Sequence, residues 1–171
     1  MRILGIDPGY ATIGCGALEF DGSLFKLLEY GAITTPADMS FPLRLLKIEE
    51  EFSALIERLR PEALSIEKLY FNTNTTTAID VAQARGVIIA AAARRELEIF
   101  EYTPLQVKLA VVGYGRAEKS QVMEMTRVIL GLKSVPRPDD AADALALAVC
   151  CGHSAAAERR ARIFKQGRSG L

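Results

Sequence analysis

The chain has 171 residues, of which 50% are hydrophobic, and its formal net charge at pH 7 is +0. This size and composition favour one globular domain with a real core, and the lack of a basic excess argues weakly against indiscriminate nucleic-acid binding. No segment predicts a membrane span or a signal peptide. Three cysteines without a CxxC spacing argue against a disulfide framework or zinc site, so we expect a cytoplasmic protein with no membrane partner.

The first third of the chain predicts strands. A continuous apolar run from Ile3 to Asp7 is typical of a central strand that is covered on both faces. Ile13 to Phe20 and Leu24 to Thr34 follow, and the Asp21-Gly22 pair between them predicts a hairpin because both turn positions tolerate positive φ. These segments therefore predict an antiparallel meander.

The rest of the chain alternates helices and strands. Helices are predicted over Phe41–Leu59, from about Thr77 to Glu96, over Pro104–Val112 and Lys119–Leu130, and from about Pro138 onward. Intervening strands are predicted over Ala63–Glu67 and Leu97–Tyr102. This order predicts one α/β domain over residues 1–157, in which helices flank a mixed sheet, followed by a basic, flexible tail over residues 158–171.

Four carboxylates stand where a charge is costly or unexpected. Asp7 and Glu67 end buried strands, while Asp140 and Asp143 open an apolar helix and share one of its faces. If these acids converge, they need cations, and hard divalent metals such as Mg²⁺ take oxygen ligands of this kind. Two metals held by acids are a known means of cutting phosphodiesters.

Three of the four acids, Asp7, Glu67 and Asp140, also have another explanation. The turn after Asp7, with Gly9 and Gly14, is similar to the acidic glycine turn of actin-like and sugar-kinase ATPases. Glu67 could lie exposed at a strand edge. Asp140, or its neighbour Asp139, could cap the last helix. The residues alone leave these alternatives open.

Several motifs together resemble RuvC, the family of bacterial Holliday junction resolvases. The resemblance runs from Met1 to about His153 and includes motifs outside the acids. They are Asp7-Pro8-Gly9 with Gly14, Ser65-Ile66-Glu67, Gln83-Ala84-Arg85-Gly86, Val111-Val112-Gly113, Ala117-Glu118-Lys119-Ser120-Gln121-Val122 and Asp140-Ala141-Ala142-Asp143-Ala144-Leu145-Ala146.

The resemblance implies an RNase H-like fold with a five-stranded sheet in the order 3-2-1-4-5. It implies a crossover junction endodeoxyribonuclease, a homodimer that nicks two strands of a four-way junction symmetrically and leaves 5′-phosphate and 3′-hydroxyl ends. By resemblance, two Mg²⁺ ions per active site, or Mn²⁺, would be held by the four acids. Roles in recombination and repair, and coupling to the RuvA–RuvB branch-migration complex, are implied in the same way. The metal ligands would be Asp7, Glu67, Asp140 and Asp143.

The resemblance also implies DNA contacts. Lys119 would lie near the scissile phosphate as a catalytic cation, and Tyr70 near the exchange point of the junction, where an aromatic ring can stack on a base. For Lys119, and for Lys108 among the further candidates, a solvated position on a helix is the simpler alternative. The further candidates for DNA contact are Phe71, Asn72, Asn74, Arg85, Lys108 and Arg116.

Small residues at Ala82, Gly86 and Ala90 form a strip along the long helix. The strip could pair with itself in a symmetric dimer or pack on the sheet of its own chain.

Two other functions compete with the nuclease hypothesis. A kinase-like ATPase would need a second large domain, for which the chain is too short, and a non-catalytic DNA-binding module is disfavoured by the complete set of four acids.

Overall fold

The structure is a computed structural model that describes residues 1–69 and 75–168, with side chains described for 1–69 and 77–155. No helix within these residues combines the length and apolarity that crossing a bilayer requires. In chain order, the elements are β1 (Arg2–Asp7), β2 (Thr12–Phe20), β3 (Phe25–Thr34), α1 (Phe41–Leu59), β4 (Ala63–Glu67), α2 (Thr75–Arg94), β5 (Glu98–Tyr102), α3 (Pro104–Val112), α4 (Lys119–Ile129) and α5 (Asp139–Arg168).

The five strands form one mixed sheet in the order β3-β2-β1-β4-β5. The first three strands pair antiparallel, whereas β1–β4 and β4–β5 are parallel. Asp21 and Gly22 form the predicted hairpin turn, in which Gly22 has a φ of +106° and the Asp21 side chain accepts backbone N–H bonds from Ser23 and Leu24. The predicted RNase H-like fold and its strand order are confirmed.

The sheet separates two apolar layers because successive side chains of a strand face opposite sides. Leu4 and Ile6 of β1 pack in a core with α1 and α2, to which Phe52 and Ile88 belong. Ile3, the residue before Leu4, packs in the other core with α3, α4 and α5. The central strand is therefore covered on both faces, as its continuous apolar run predicts.

Helix α5 lies unusually close to strands β1 and β2. A Cβ atom added to Gly5 would lie 2.0 Å from the carbonyl oxygen of Ala144, and one added to Gly14 would lie 1.9 Å from that of Asp140. Only glycine permits this approach of helix backbone to strand backbone. On β4, the buried Ser65 hydroxyl donates a 2.7 Å hydrogen bond to the carbonyl of Leu147 and so ties α5 to a third strand.

The largest boundary differences from the sequence predictions are in α2 and α5. Helix α2 begins at Thr75, inside the segment predicted as a loop through Thr77, and α5 continues to Arg168. Threonine is a weak indicator at a helix start, because its hydroxyl suits caps and turns as well as helices. The domain boundary at residue 157 and the flexibility of the tail stay predictions.

Candidate active site

Asp7 and Glu67 lie side by side at one edge of the sheet. Each is the last residue of its strand, and the parallel strands β1 and β4 pair through Ile6 and Ile66, one residue earlier. The carboxyl ends of parallel strands are where α/β folds usually bind ligands. Two acids separated by 60 positions in the chain are thus neighbours because the strand register aligns them.

The first turns of α5 bring two more acids to this edge. Gly14 is the cross-strand partner of Asp7, and the backbone of Asp140 lies directly on Gly14. Asp143 follows three positions later and shares a helix face with Asp140. The neighbouring Asp139 carboxylate instead forms an ion pair with Arg137, so Asp140 is the better placed of the two toward Asp7.

Burial and mutual repulsion perturb the acids of this cluster. Burial, followed by the charges of Asp143, Glu67 and Asp140, raises the pKa of Asp7 to about 8, although Lys119 opposes this rise. Burial and the charge of Asp143 also raise the pKa of Glu67, which a hydrogen bond with Asp7 partly offsets. Burial raises the pKa of Asp143 as well, against the lowering effect of Lys119. Clusters of acids that disfavour ionisation in this way are typical of functional sites.

Lys119 is the basic residue in closest contact with the acids. It is the first residue of α4, and its Nζ lies 2.6 Å from Oδ2 of Asp143. The hydrogen bond with Asp143 is the main reason that the pKa of Lys119 is raised, so the ammonium form is favoured. A groove of about 210 Å³ beside this pair is lined by Glu67, Pro104, Val107, Lys108, Lys119, Val122, Asp143, Ala146 and Leu147.

The four acids are neighbours, but they do not form a ready-made metal cage. Among the side chains that the structure describes, no three His, Cys, Asp or Glu residues are arranged to hold one ion. Their oxygens are engaged within the cluster instead, Asp7 with Glu67 and Asp143 with Lys119. Shared coordination of one ion would therefore require these carboxylates to leave their present partners.

The predicted DNA-contacting residues fall into three groups. Lys108 lines the groove beside the acids, and Arg116 is exposed in the segment between α3 and α4. Arg85 is held inside the fold, where its Nε donates a 3.0 Å hydrogen bond to the carbonyl oxygen of Glu67 and its Nη2 pairs with Glu101. The predictions for the others lie outside the described residues, namely Tyr70, Phe71, Asn72 and Asn74.

The strip of small residues on α2 faces away from the sheet. Gly86 and Ala90 are exposed, nothing lies within 4 Å of a Cβ built on Gly86, and the nearby Ile79 is 60% exposed. The buried side of α2 carries Ala84 and Ile88 instead. Packing of the strip on its own sheet, one of the two alternatives from the sequence, is therefore wrong.

Sequence reasoning missed Glu101, the residue that holds Arg85. Its only signal is a charged residue near the end of a predicted strand, which is equally typical of a solvated strand face. His153, treated as incidental, lies with Nδ1 3.1 Å from the carbonyl oxygen of Ala110 and with its ring against Phe25. These contacts pack α5 against neighbouring elements and involve none of the four acids.

Comparison with known proteins identifies close relatives. The family model described as Crossover junction endodeoxyribonuclease RuvC matches residues 3–151. A crossover junction endodeoxyribonuclease RuvC from Alkaliphilus metalliredigens (strain QYMF) is 56% identical over 154 residues, covering 90% of this chain and 94% of the relative. The structure of Thermus thermophilus RuvC has a TM-score of 0.85 and 35% identity, covering 91% of this chain and 95% of that one. For T. thermophilus RuvC in complex with Holliday junction substrate, the TM-score is 0.83 and the identity 33%, with coverage of 91% and 95%.

Proposed function

The chain belongs to the RuvC family of crossover junction endodeoxyribonucleases, and we propose from this membership and its acidic site that it resolves Holliday junctions by metal-dependent nicking. The observation that carries the proposal is the meeting of four carboxylates at one sheet edge, with Lys119 against them. A structural relative is in complex with Holliday junction substrate. We propose four-way junction DNA as the substrate of this chain as well.

Divalent cations fit the chemistry of these side chains. All four candidate ligands are carboxylates, and hard cations prefer such oxygen ligands. Burial, and after it the charges of the other three acids, raises the pKa of Asp7, so a bound cation would relieve this site. We assign Asp7, Glu67, Asp140 and Asp143 to hold two Mg²⁺ ions, with Mn²⁺ as an alternative. Such ions supply charge stabilisation at the phosphoryl group and at the leaving oxygen.

The basic residues of the site complement the negative charge of the DNA. Lys119 and Lys108 border the groove that also contains Glu67 and Asp143, so a phosphate in that groove would meet two ammonium groups. Each can neutralise backbone charge as a point cation. Arg116, on the neighbouring exposed segment, is proposed to contact the DNA backbone farther from the reacting phosphate.

We propose a homodimer as the active form, because paired cuts in opposite strands require two active sites. The exposed apolar side of α2, which includes Ile79 and Gly86, supports self-association. A two-fold axis would place the same patch of both chains together. The products are proposed to carry 5′-phosphate and 3′-hydroxyl ends, in recombination and DNA repair in the cytoplasm, with coupling to the RuvA–RuvB complex.

The direct test of the function is cleavage of a synthetic mobile four-way junction. With Mg²⁺, we expect paired nicks in opposing strands and products that DNA ligase seals. A linear duplex of the same sequence should be left intact. Tight junction binding without products would favour the non-catalytic DNA-binding alternative and overturn the proposal.

Replacing Lys119 with alanine should slow cleavage by about 10- to 100-fold while changing junction affinity by less than about threefold. The ammonium that contacts Asp143 acts locally on the reacting phosphate, whereas binding is spread over many contacts. Single-turnover rates at saturating enzyme measure cleavage, and a binding titration of the junction in Ca²⁺ measures affinity. Lys133→Ala, at an exposed position after α4, is the control. An unchanged rate for Lys119→Ala would remove this lysine from the reaction.

A charged residue on the exposed side of α2 should convert the dimer to a monomer. Gly86→Glu is suited to this test because the position is open in one chain and glutamate favours helix more than glycine does. We expect sedimentation velocity to give a monomer with unchanged circular dichroism. Ser23→Glu, which adds the same charge in the exposed turn between β2 and β3, should stay dimeric. A dimeric Gly86→Glu protein would contradict the assigned surface.

A further inference from the structure

We propose that Arg85 and Glu101 form a positioning pair that fixes Glu67 at the active site, and that Arg85 acts through this pair and not through DNA. The inference rests on the proposed nuclease function and adds a role for two residues outside the cluster of acids. One guanidinium joins three elements, since Arg85 lies on α2, Glu67 ends β4 and Glu101 lies on β5.

The geometry shows why the end of β4 needs this support. Glu67 is still paired with Tyr102 of β5 on one side, but the pairing of β4 with β1 on the other side ends at Ile66, one residue before the acid. Beyond that point, the Glu67 carbonyl accepts its hydrogen bond from Nε of Arg85 at 3.0 Å. Hydrogen bonds from a charged donor are roughly twice as strong as neutral ones. Arg85 therefore fixes the backbone from which the Glu67 side chain projects toward Asp7.

Glu101 fixes Arg85 in turn. It lies opposite Ile66 in the β4–β5 register, and its carboxylate pairs with Nη2 of Arg85. The Arg85 side chain is only 15% exposed, whereas Glu101 is 43% exposed. A nearly buried guanidinium depends on its countercharge, because removing one partner of such a pair leaves an uncompensated charge. The pair therefore acts as a unit, and changing either member should affect Glu67.

The same contacts disfavour a phosphate contact by Arg85. Two of its nitrogens are already directed into the fold, toward a backbone carbonyl and a carboxylate. Reaching DNA would break both interactions and withdraw the side chain from a mostly buried position. Lys108 and Lys119, in contrast, border an open groove. A DNA-contacting Arg85 and a positioning Arg85 predict opposite effects of losing Glu101. If Arg85 contacts DNA, loss of Glu101 would free its side chain for phosphate. If Arg85 positions Glu67, loss of Glu101 would loosen Glu67.

The experiment compares Arg85→Gln, Glu101→Gln and the double variant in the full chain. We expect each single variant to cleave a saturating junction about 10- to 100-fold more slowly, with less than about a threefold change in junction Kd, and the double variant to lose little more. The Mg²⁺ concentration for half-maximal rate should rise in parallel. Arg85→Lys should not restore the rate, because an ammonium lacks the planar fork that spans both partners. Arg58→Gln, which breaks the surface pair with Glu29, is the matched control and should cleave normally.

A measurement that uses no DNA distinguishes failure of the positioning pair from failure of the proposed nuclease function. The rise in melting temperature on adding Mg²⁺ should be smaller in Arg85→Gln and Glu101→Gln than in the wild type or Arg58→Gln. Equal Mg²⁺ stabilisation in all four proteins would overturn the positioning pair. So would a tenfold loss of junction affinity in Arg85→Gln with normal cleavage by Glu101→Gln, which is the signature of a phosphate contact. If the wild type bound Mg²⁺ but cut no junction, the proposed function would fail while this comparison still tested the pair.

Discussion

Asp7→Asn should abolish junction cleavage, by about 10³-fold or more, while making the protein more stable in EDTA at pH 8. Asparagine keeps the size of the side chain but removes a charge that the site is proposed to use for metal binding. Junction affinity should stay within about threefold of the wild type, because the DNA surface is spread well beyond one acid. Gel-based cleavage and binding assays measure both quantities.

The gain in stability follows from the sign of the pKa shift. In the folded chain, the pKa of Asp7 is raised from 3.8 to about 8, so between these values the folded state binds more protons than the unfolded state. Stability is therefore full below the unfolded pKa and is lost as the pH rises through the folded one. Asparagine removes this dependence. We expect a gain of about 2 kcal/mol at pH 8, or about 4–8 °C in melting temperature.

Calorimetry over pH 5 to 8 in EDTA measures this effect. The stability difference between Asp7→Asn and the wild type should grow as the pH rises, and Mg²⁺ should reduce it by stabilising the wild type more. Asp38→Asn, at an exposed acid, should show neither trend. An Asp7→Asn protein that is inactive and also less stable at every pH would instead indicate a structural role for Asp7.

Gly14→Ala should impair the same site without touching a carboxylate. The added Cβ would lie 1.9 Å from the carbonyl oxygen and 2.3 Å from the carbonyl carbon of Asp140, both backbone atoms that cannot rotate away. The start of α5 must therefore move, and Asp140 and Asp143 move with it. Displacements of about 1 Å cost about 100-fold in rate, and overpacking of this kind costs about 3 kcal/mol.

The matched control is Gly31→Ala on β3. Nothing lies within 4 Å of a Cβ at Gly31, so we expect alanine there to be neutral or slightly stabilising in urea unfolding. Cleavage by Gly14→Ala should be assayed at a temperature where circular dichroism shows it folded. Normal cleavage by a folded Gly14→Ala protein would contradict the role of close helix packing in placing the acids.

The strands were predictable because local signals agree with the fold. The apolar run before Asp7 and the Asp21-Gly22 turn depend on neighbouring residues only, and both elements form as expected. The order of the five strands was not derivable from these signals and came from resemblance to a family. The start of α2 was misplaced at Thr75, since threonine suits loops, caps and helices alike.

The sequence indicates which residues can form the candidate site better than it indicates how they contact one another. Strand ends and helix spacing indicate which acids can meet, but not which oxygens engage one another once they do. The contact of Lys119 with Asp143, and the direction of Arg85 into the fold, depend on tertiary packing that a sequence pattern does not contain. Asp140 was assigned over Asp139 by resemblance to the family, and the contacts of Asp140 with Gly14 and of Asp139 with Arg137 become visible only in three dimensions.

The late position of α5 in the chain has a consequence for biosynthesis. Two of the four acids arrive on this helix, after every strand has already been made. The set of acids proposed to hold the metal ions is therefore incomplete until the last helix has been synthesised. The acids can therefore come together only after α5 has been made and has docked on the sheet.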